Sequence, residues 1–155
     1  MTSNRRSKKS VALTERQREL GQTIGDITRA WRHEMNQRLK PFGLNQSMQQ
    51  VLVQLHRHPD GLMQRDLARK LGIEGPTLVR LLDLLEQKEW IRRIASPDDK
   101  RRKYSVLTPK ATEQIQIIEK ITAELRALML AGLTGADVDA ALALMRKMRD
   151  NLLTE

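Results

Sequence analysis

The stretch "LMQRDLARKLGIEGPTLVRLLDLLEQKEWI", residues 62–91, constrains the fold more than any other part of the chain. Leu62, Leu67, Ala68 and Leu71 make a short helix face, and Leu78, Val79, Leu82 and Leu85 repeat at the spacing of a second helix. Between them Gly72 permits the left-handed residue that a tight inter-helix turn wants. Pro76 suits the first turn of the following helix, where its missing N–H is no loss. The small Ala68 stands where two helices must approach closely. Two short helices joined this way form a helix-turn-helix. Some helical hairpins with no nucleic-acid role share the pattern, so the residues that follow must decide what it is for.

After Trp90, "IRRI" is too short for a helix and has two β-branched residues bounding two cations, while "KYSVL" alternates in the manner of a strand. The polar Pro97-Asp98-Asp99 lies between them, so the segment reads as a hairpin. Lys100, Arg101, Arg102 and Lys103 fall on or just after its tip, and strand alternation prevents all four from pointing one way. A helix-turn-helix followed at once by a basic hairpin is the winged-helix arrangement. Its second helix enters the major groove of duplex DNA and its hairpin tip reaches the backbone or minor groove. Thr77 and Arg80, three apart and facing away from the leucines, are placed to read base edges, Arg80 being suited to guanine. Glu74 and Gly75 precede them, where helix-start N–H groups can meet phosphate. Asp99 is expected to accept a hydrogen bond from a neighbouring arginine and so aim one arginine at the minor groove. The blander reading is a solvated loop whose charges only aid solubility; beside a helix-turn-helix, DNA is the better account.

The balance of charge agrees. Among 155 residues, 28 Lys and Arg face 19 Asp and Glu, a formal net charge of +9 that favours a polyanionic partner. The length suits one domain. With no cysteine, disulfides, thiolate metal sites and thiol nucleophiles are excluded. His56 and His58 are two apart near a helix end and have no third ligand, so no metal is expected. Neither a nucleophile beside a base, nor paired buried acids, nor a phosphate-cradling glycine loop is found, so the chain reads as no enzyme, with no catalytic residue and no cofactor. The basic N-terminus lacks the apolar stretch of a signal peptide, and no run of about 18 apolar residues occurs. A cytoplasmic protein with no membrane partner is the simplest expectation.

The remaining helices frame this core. Residues 1–13 carry Arg5, Arg6, Lys8 and Lys9 without an acid and are expected to be a disordered basic arm. From Thr14, as N-cap, Leu20, Ile24, Ile27, Trp31, Met35 and Leu39 fall on one helical stripe that stops before Pro41-Phe42-Gly43. A second helix, Gln46 to His58, turns Val51, Leu52 and Leu55 inward. Thr108 as N-cap and Pro109 begin a long helix lined by Ile115, Ile118, Ile121, Leu125 and Leu128. Thr134 and Asp137 resemble a capping pair for a last helix carrying Val138, Ala141, Leu142, Met145, Met148 and Leu152. The fold class is therefore mainly α, a single domain over 14–155. Residues 46–107 form its winged helix-turn-helix, and the helices of 14–45 and 108–155, too apolar to stand alone, form a dimerisation region.

"LARKLGIEGPTLVRLLDLLEQKEWIRRIASPDDKRRKYSVLTPKA", with "WRHEMNQRLKPFGL" before it, resembles the recognition helix, wing and first helix of the MarR family of bacterial transcription regulators, nearest its SlyA branch. The resemblance runs over roughly residues 20 to 152. It implies an obligate homodimer on inverted-repeat double-stranded DNA, often released when small aromatic carboxylates bind. Matched position by position, it makes Pro76, Thr77 and Arg80 the recognition-helix contacts, Arg101 the wing arginine in the minor groove and Asp99 its supporting carboxylate, with Lys100 and Arg102 beside it. Arg29 matches a ligand-contacting arginine, and Trp31 and Arg32 lie near the same junction. The chain also departs from the family pattern. Gln49 and Val53 stand where the SlyA branch has an aromatic and a histidine lining the ligand cavity, and Ser96 and Asp98 stand where many members have Asp and Arg. The rival readings are a sequence-tolerant architectural DNA-binding protein and a helical adaptor that offers its wing to an acidic protein.

Overall fold

The structure, a computed structural model, describes residues 3–95 and 103–153, with side chains from Thr14 onward. Among the described residues six α-helices and three short strands follow one another as α1 (Ser3–Leu39), α2 (Gln46–His56), β1 (Leu62–Met63), α3 (Gln64–Leu71), α4 (Gly75–Gln87), β2 (Ile91–Ala95), β3 (Lys103–Leu107), α5 (Thr112–Met129) and α6 (Gly135–Leu153). Single 3-10 turns at Lys40–Phe42 and Pro109–Ala111 punctuate the series at the two prolines where α-helix cannot continue or has not yet begun. The chain divides into two compact units, Met1–Ile121 and Thr122–Glu155.

The first unit holds the helix-turn-helix and the sheet. Asn45 caps α2 by accepting from the Met48 N–H at 2.9 Å, and Asn36 of α1 accepts from the Gln46 N–H at 2.8 Å, so the start of α2 is pinned from two sides. Gly72 ends α3 in the left-handed region (φ 62°), and the Gly72 and Ile73 N–H groups close on carbonyls of the preceding turn. The α3–α4 turn is therefore the one expected, with Pro76 in the first turn of α4. Val51, Leu52, Leu55, Leu67, Leu78, Leu82 and Leu85 are fully buried or nearly so, the interdigitating core of α2, α3 and α4. Trp90, Ile91 and Val106 close it from the sheet side.

The sheet runs β1-β3-β2, antiparallel throughout, with Ile91 opposite Leu107 and Ala95 opposite Lys103. This is the expected hairpin, widened by a strand that the sequence reading places elsewhere. Leu62 is not part of the α3 face; it pairs with Ser105, and Met63 with Tyr104. Gly61 delivers the chain to that edge with φ 87°, and a Cβ there would stand 2.6 Å from Val106 Cγ1 and 2.8 Å from the Ser105 carbonyl oxygen. Only glycine allows β1 to dock.

Two further expectations are corrected. Helix α1 starts at Ser3 and not at Thr14, so residues 3–13 are helical where a disordered arm was expected. The chain's first proline is Pro41, and no glycine precedes Gly21, so nothing in this segment breaks a helix once α1 has begun. Thr108 occupies the cap position before Pro109, but its hydroxyl donates to the Glu89 carbonyl oxygen at 2.6 Å instead of capping the turn.

In the second unit α6 opens with the expected capping pair. The Thr134 hydroxyl and N–H both donate to Asp137 Oδ2, and Thr134 Oγ1 accepts from the Asp137 N–H. None of its residues is buried, and Leu142, Leu144, Met145, Leu152 and Leu153 are exposed.

Candidate nucleic-acid interface

Helix α4 presents two unlike faces. Leu78, Leu82 and Leu85 are completely buried, while Pro76, Thr77 and Arg80 are exposed on the side away from them. No acid lies in the first turn, and the Glu74 side chain makes no capping hydrogen bond, so no side chain caps the N–H groups that begin the helix. The structure thus brings three of the expected DNA-contacting residues onto one exposed surface at the positive end of a helix. Among the described residues, Arg80 makes no ion pair and no side-chain hydrogen bond.

Strand β2 leaves the end of α4 and is locked back onto it. Arg93 pairs with Asp83, its Nε lies 3.5 Å from Glu86 Oε2, and its own N–H donates to Glu86 Oε1 at 3.1 Å. Its side chain is only 22% exposed, whereas the neighbouring Arg92 is exposed, as strand alternation requires. Sequence reasoning saw two cations in "IRRI" and did not divide them. The alternation carried that signal, but the acids that would meet Arg93 could be named only once β2 was known to fold over α4.

A second lock joins the other end of the sheet. Glu89 pairs with Lys110, and the Lys110 ammonium, by hydrogen bond and by charge, holds the Glu89 carboxyl below the usual glutamate range. With the Thr108 hydroxyl on the Glu89 carbonyl, this ties the exit of α4 to the exit of β3.

The other expected site residues are distributed as follows. Asp99, Lys100, Arg101 and Arg102, with Ser96 and Asp98, lie outside the described residues; β2 and β3 carry the chain to and from them at Ala95 and Lys103. Arg29 pairs with Asp26 on the exposed side of α1, Arg32 is exposed and Trp31 is half-buried. No described cavity brings these three together: one of about 310 Å³ is lined by His56, Leu107, Thr108, Thr112, Ile115, Gln116 and Glu119, and another by His58, Leu62, Asp66, Arg69 and Lys70. His56 faces Glu119 at 3.8 Å, and His58 Nδ1 lies 2.8 Å from the Gln54 carbonyl oxygen, so the two histidines serve different neighbours. Among the described residues no group of three metal-ligating side chains occurs, and no helix is long and apolar enough to cross a membrane.

Comparison with known proteins adds to this geometry. A family model for the MarR family matches residues 44–103, the span from α2 to the start of β3. The crystal structure of transcriptional regulator PA3341 is similar to the chain at 41% identity, over 86% of this chain and 97% of that one, with a TM-score of 0.78. The chain belongs to the MarR family. Its members are transcriptional regulators and not enzymes. A second MarR-type structure, S. aureus MepR in complex with DNA, is 26% identical over 84% of this chain and 96% of that one (TM-score 0.78). The regulator SlyA is 24% identical over 86% and 93% (TM-score 0.79), a likeness of fold. The winged helix of this MarR-family chain is thus the expected one, with a third strand.

Proposed function

We propose that this MarR-family regulator acts as a homodimer in the cytoplasm, binding pseudo-palindromic operators in duplex DNA and so controlling transcription. The observation that carries the proposal is the pairing, in one unit, of an exposed Pro76-Thr77-Arg80 surface on α4 with a hairpin that leads directly into the cationic run Lys100, Arg101 and Arg102. Thr77 and Arg80 read base edges in the major groove; the wing cations, with Asp99 aiming Arg101, hold the adjacent backbone or minor groove. The DNA complex of MepR, 26% identical, supports duplex DNA as the partner.

A homodimer is supported by apolar side chains left in solvent on the first and last helices, among them Leu20 and Ile27 on α1 and Leu144 and Leu152 on α6. Two-fold symmetry then sets half-site centres about 10 bp apart. An aromatic carboxylate effector would meet Arg29, exchanging its Asp26 partner for the ligand's own carboxylate.

Selecting bound fragments from random duplex DNA, with and without a panel of aromatic carboxylates, tests the proposal. An inverted repeat with that spacing is expected. Retention of fragments with no shared sequence would replace the operator-binding reading with a sequence-tolerant architectural one, and no retention at physiological salt would favour a protein-binding adaptor.

A further inference from the structure

Arg80 and Asp83 lie three apart on α4, where an arginine and an aspartate are near neighbours on a helix surface. At the same spacing, though with the acid preceding the base, Asp26 pairs with Arg29 and Asp66 with Arg69. Asp83 instead pairs with Arg93 of β2, which also holds Glu86 through its Nε at 3.5 Å and its N–H at 3.1 Å. The Arg93 guanidinium therefore takes Asp83 while the Arg93 N–H takes Glu86, and Arg80 is left without an ion-pair partner among the described residues.

We infer that Arg93 is a positioning residue for DNA recognition: by sequestering Asp83 it keeps the Arg80 guanidinium free for the DNA duplex. This rests on the DNA-binding reading above and adds to it a determinant that touches no DNA. An arginine suits the task because its planar guanidinium reaches the Asp83 carboxylate from a partly covered position while its charge stays 3.5 Å from Glu86. Without Arg93, Asp83 turns to its helical neighbour. Arg80 must then break an ion pair before it meets a base or phosphate, and one counter-charge contact to DNA is lost.

The test is a double-mutant cycle on Arg93→Met and Asp83→Asn in the full chain, with duplex fragments selected by the parent as probe. Arg93→Met is expected to weaken binding roughly tenfold and to lower the salt slope by about one, as loss of a single contact would. Asp83→Asn is expected to restore binding in the Arg93→Met background to within about threefold of the parent, and to gain much less in the parent itself. A merely structural Arg93 would not respond in this way: thermal destabilisation by Arg93→Met would persist in the double variant, and its binding would stay weak. Equal gains from Asp83→Asn in both backgrounds would overturn the inference.

A second readout needs no DNA. The Arg80 Nε–H resonance in nitrogen-15 NMR is expected to shift on Arg93→Met and to return on adding Asp83→Asn; an unmoved resonance overturns the sequestration whatever the DNA results. A parent that retains no duplex, with the resonance moving as described, would instead remove the DNA-binding reading and leave the pairing intact.

Discussion

Two glycines with similar backbone angles separate strain from space at the level of single residues. Gly72 and Gly61 both have positive φ, but a Cβ on Gly72 meets nothing within 4 Å, whereas one on Gly61 would overlap Val106 and the Ser105 carbonyl. Gly72→Ala is therefore expected to cost only the left-handed penalty, about 1 kcal/mol. Gly61→Ala adds a clash with the sheet, and its cost should reach about 3 kcal/mol. Urea denaturation of both variants checks the ordering, and equal losses would contradict the tight approach of β1 to β3. Glu89 is the non-glycine counterpart: it holds φ 58° at the end of α4 while its side chain pairs with Lys110. Its folded carboxyl binds a proton more weakly than the same group in the unfolded chain, so acid favours unfolding. The contribution is present above the ordinary glutamate range and is lost as pH falls through the lowered folded value. Glu89→Gln should lower stability slightly near neutrality, where the Lys110 pair contributes, and flatten its fall as pH drops through the glutamate range.

Among the elements, what could be read from the sequence follows the range of the interaction that makes each one. The α3–α4 turn rests on Gly72 and Pro76, the α6 start on Thr134 and Asp137, and the hairpin on five-residue alternation; all are local, and all stand where the sequence placed them. β1 is two residues long, too short for any period, and exists because β3 offers it an edge. The Arg93–Asp83–Glu86 lock and the Thr108–Glu89 hydrogen bond join residues that are neighbours only after β2 has folded onto α4. Helix α1 shows the opposite failure, since polar composition argued for disorder in a segment that holds no glycine or proline to break a helix. Of the candidate site, the α4 half was legible because amphipathic spacing shows which face remains free. The capping pair of α6 is open to direct test: Thr134→Ala should cost about 1 kcal/mol. Asp137, held below the usual aspartate range by the Thr134 hydroxyl and N–H, should lose its contribution as pH falls through that lowered value. Amide protection factors in the first turn of α6, taken relative to the intrinsic exchange rate at each pH, should fall in Thr134→Ala and as acid protonates Asp137, which reads both effects.

For the whole molecule, apolar residues that the sequence assigned to a single stripe split into two fates. On α1, Met35 and Leu39 are fully buried while Leu20, Ile24 and Ile27 of the same stripe are exposed, and α6 buries none of its apolar side chains. A stripe that continues past its own core calls for a partner, which a second copy would supply. Light scattering at micromolar concentration should give twice the mass of the chain. Leu144→Glu, which places a charge on an exposed face of α6, should shift that mass toward the monomer and weaken operator binding in parallel. Both halves of the account, the paired α4 surface and the dimer that repeats it, meet in the discrimination between one sequence and all others. The most direct test is competition: the selected inverted repeat bound at physiological salt and challenged with excess random duplex. Retention against an excess of about 10³-fold is the expected result; displacement by an equal amount of random DNA would contradict sequence-specific recognition by this chain.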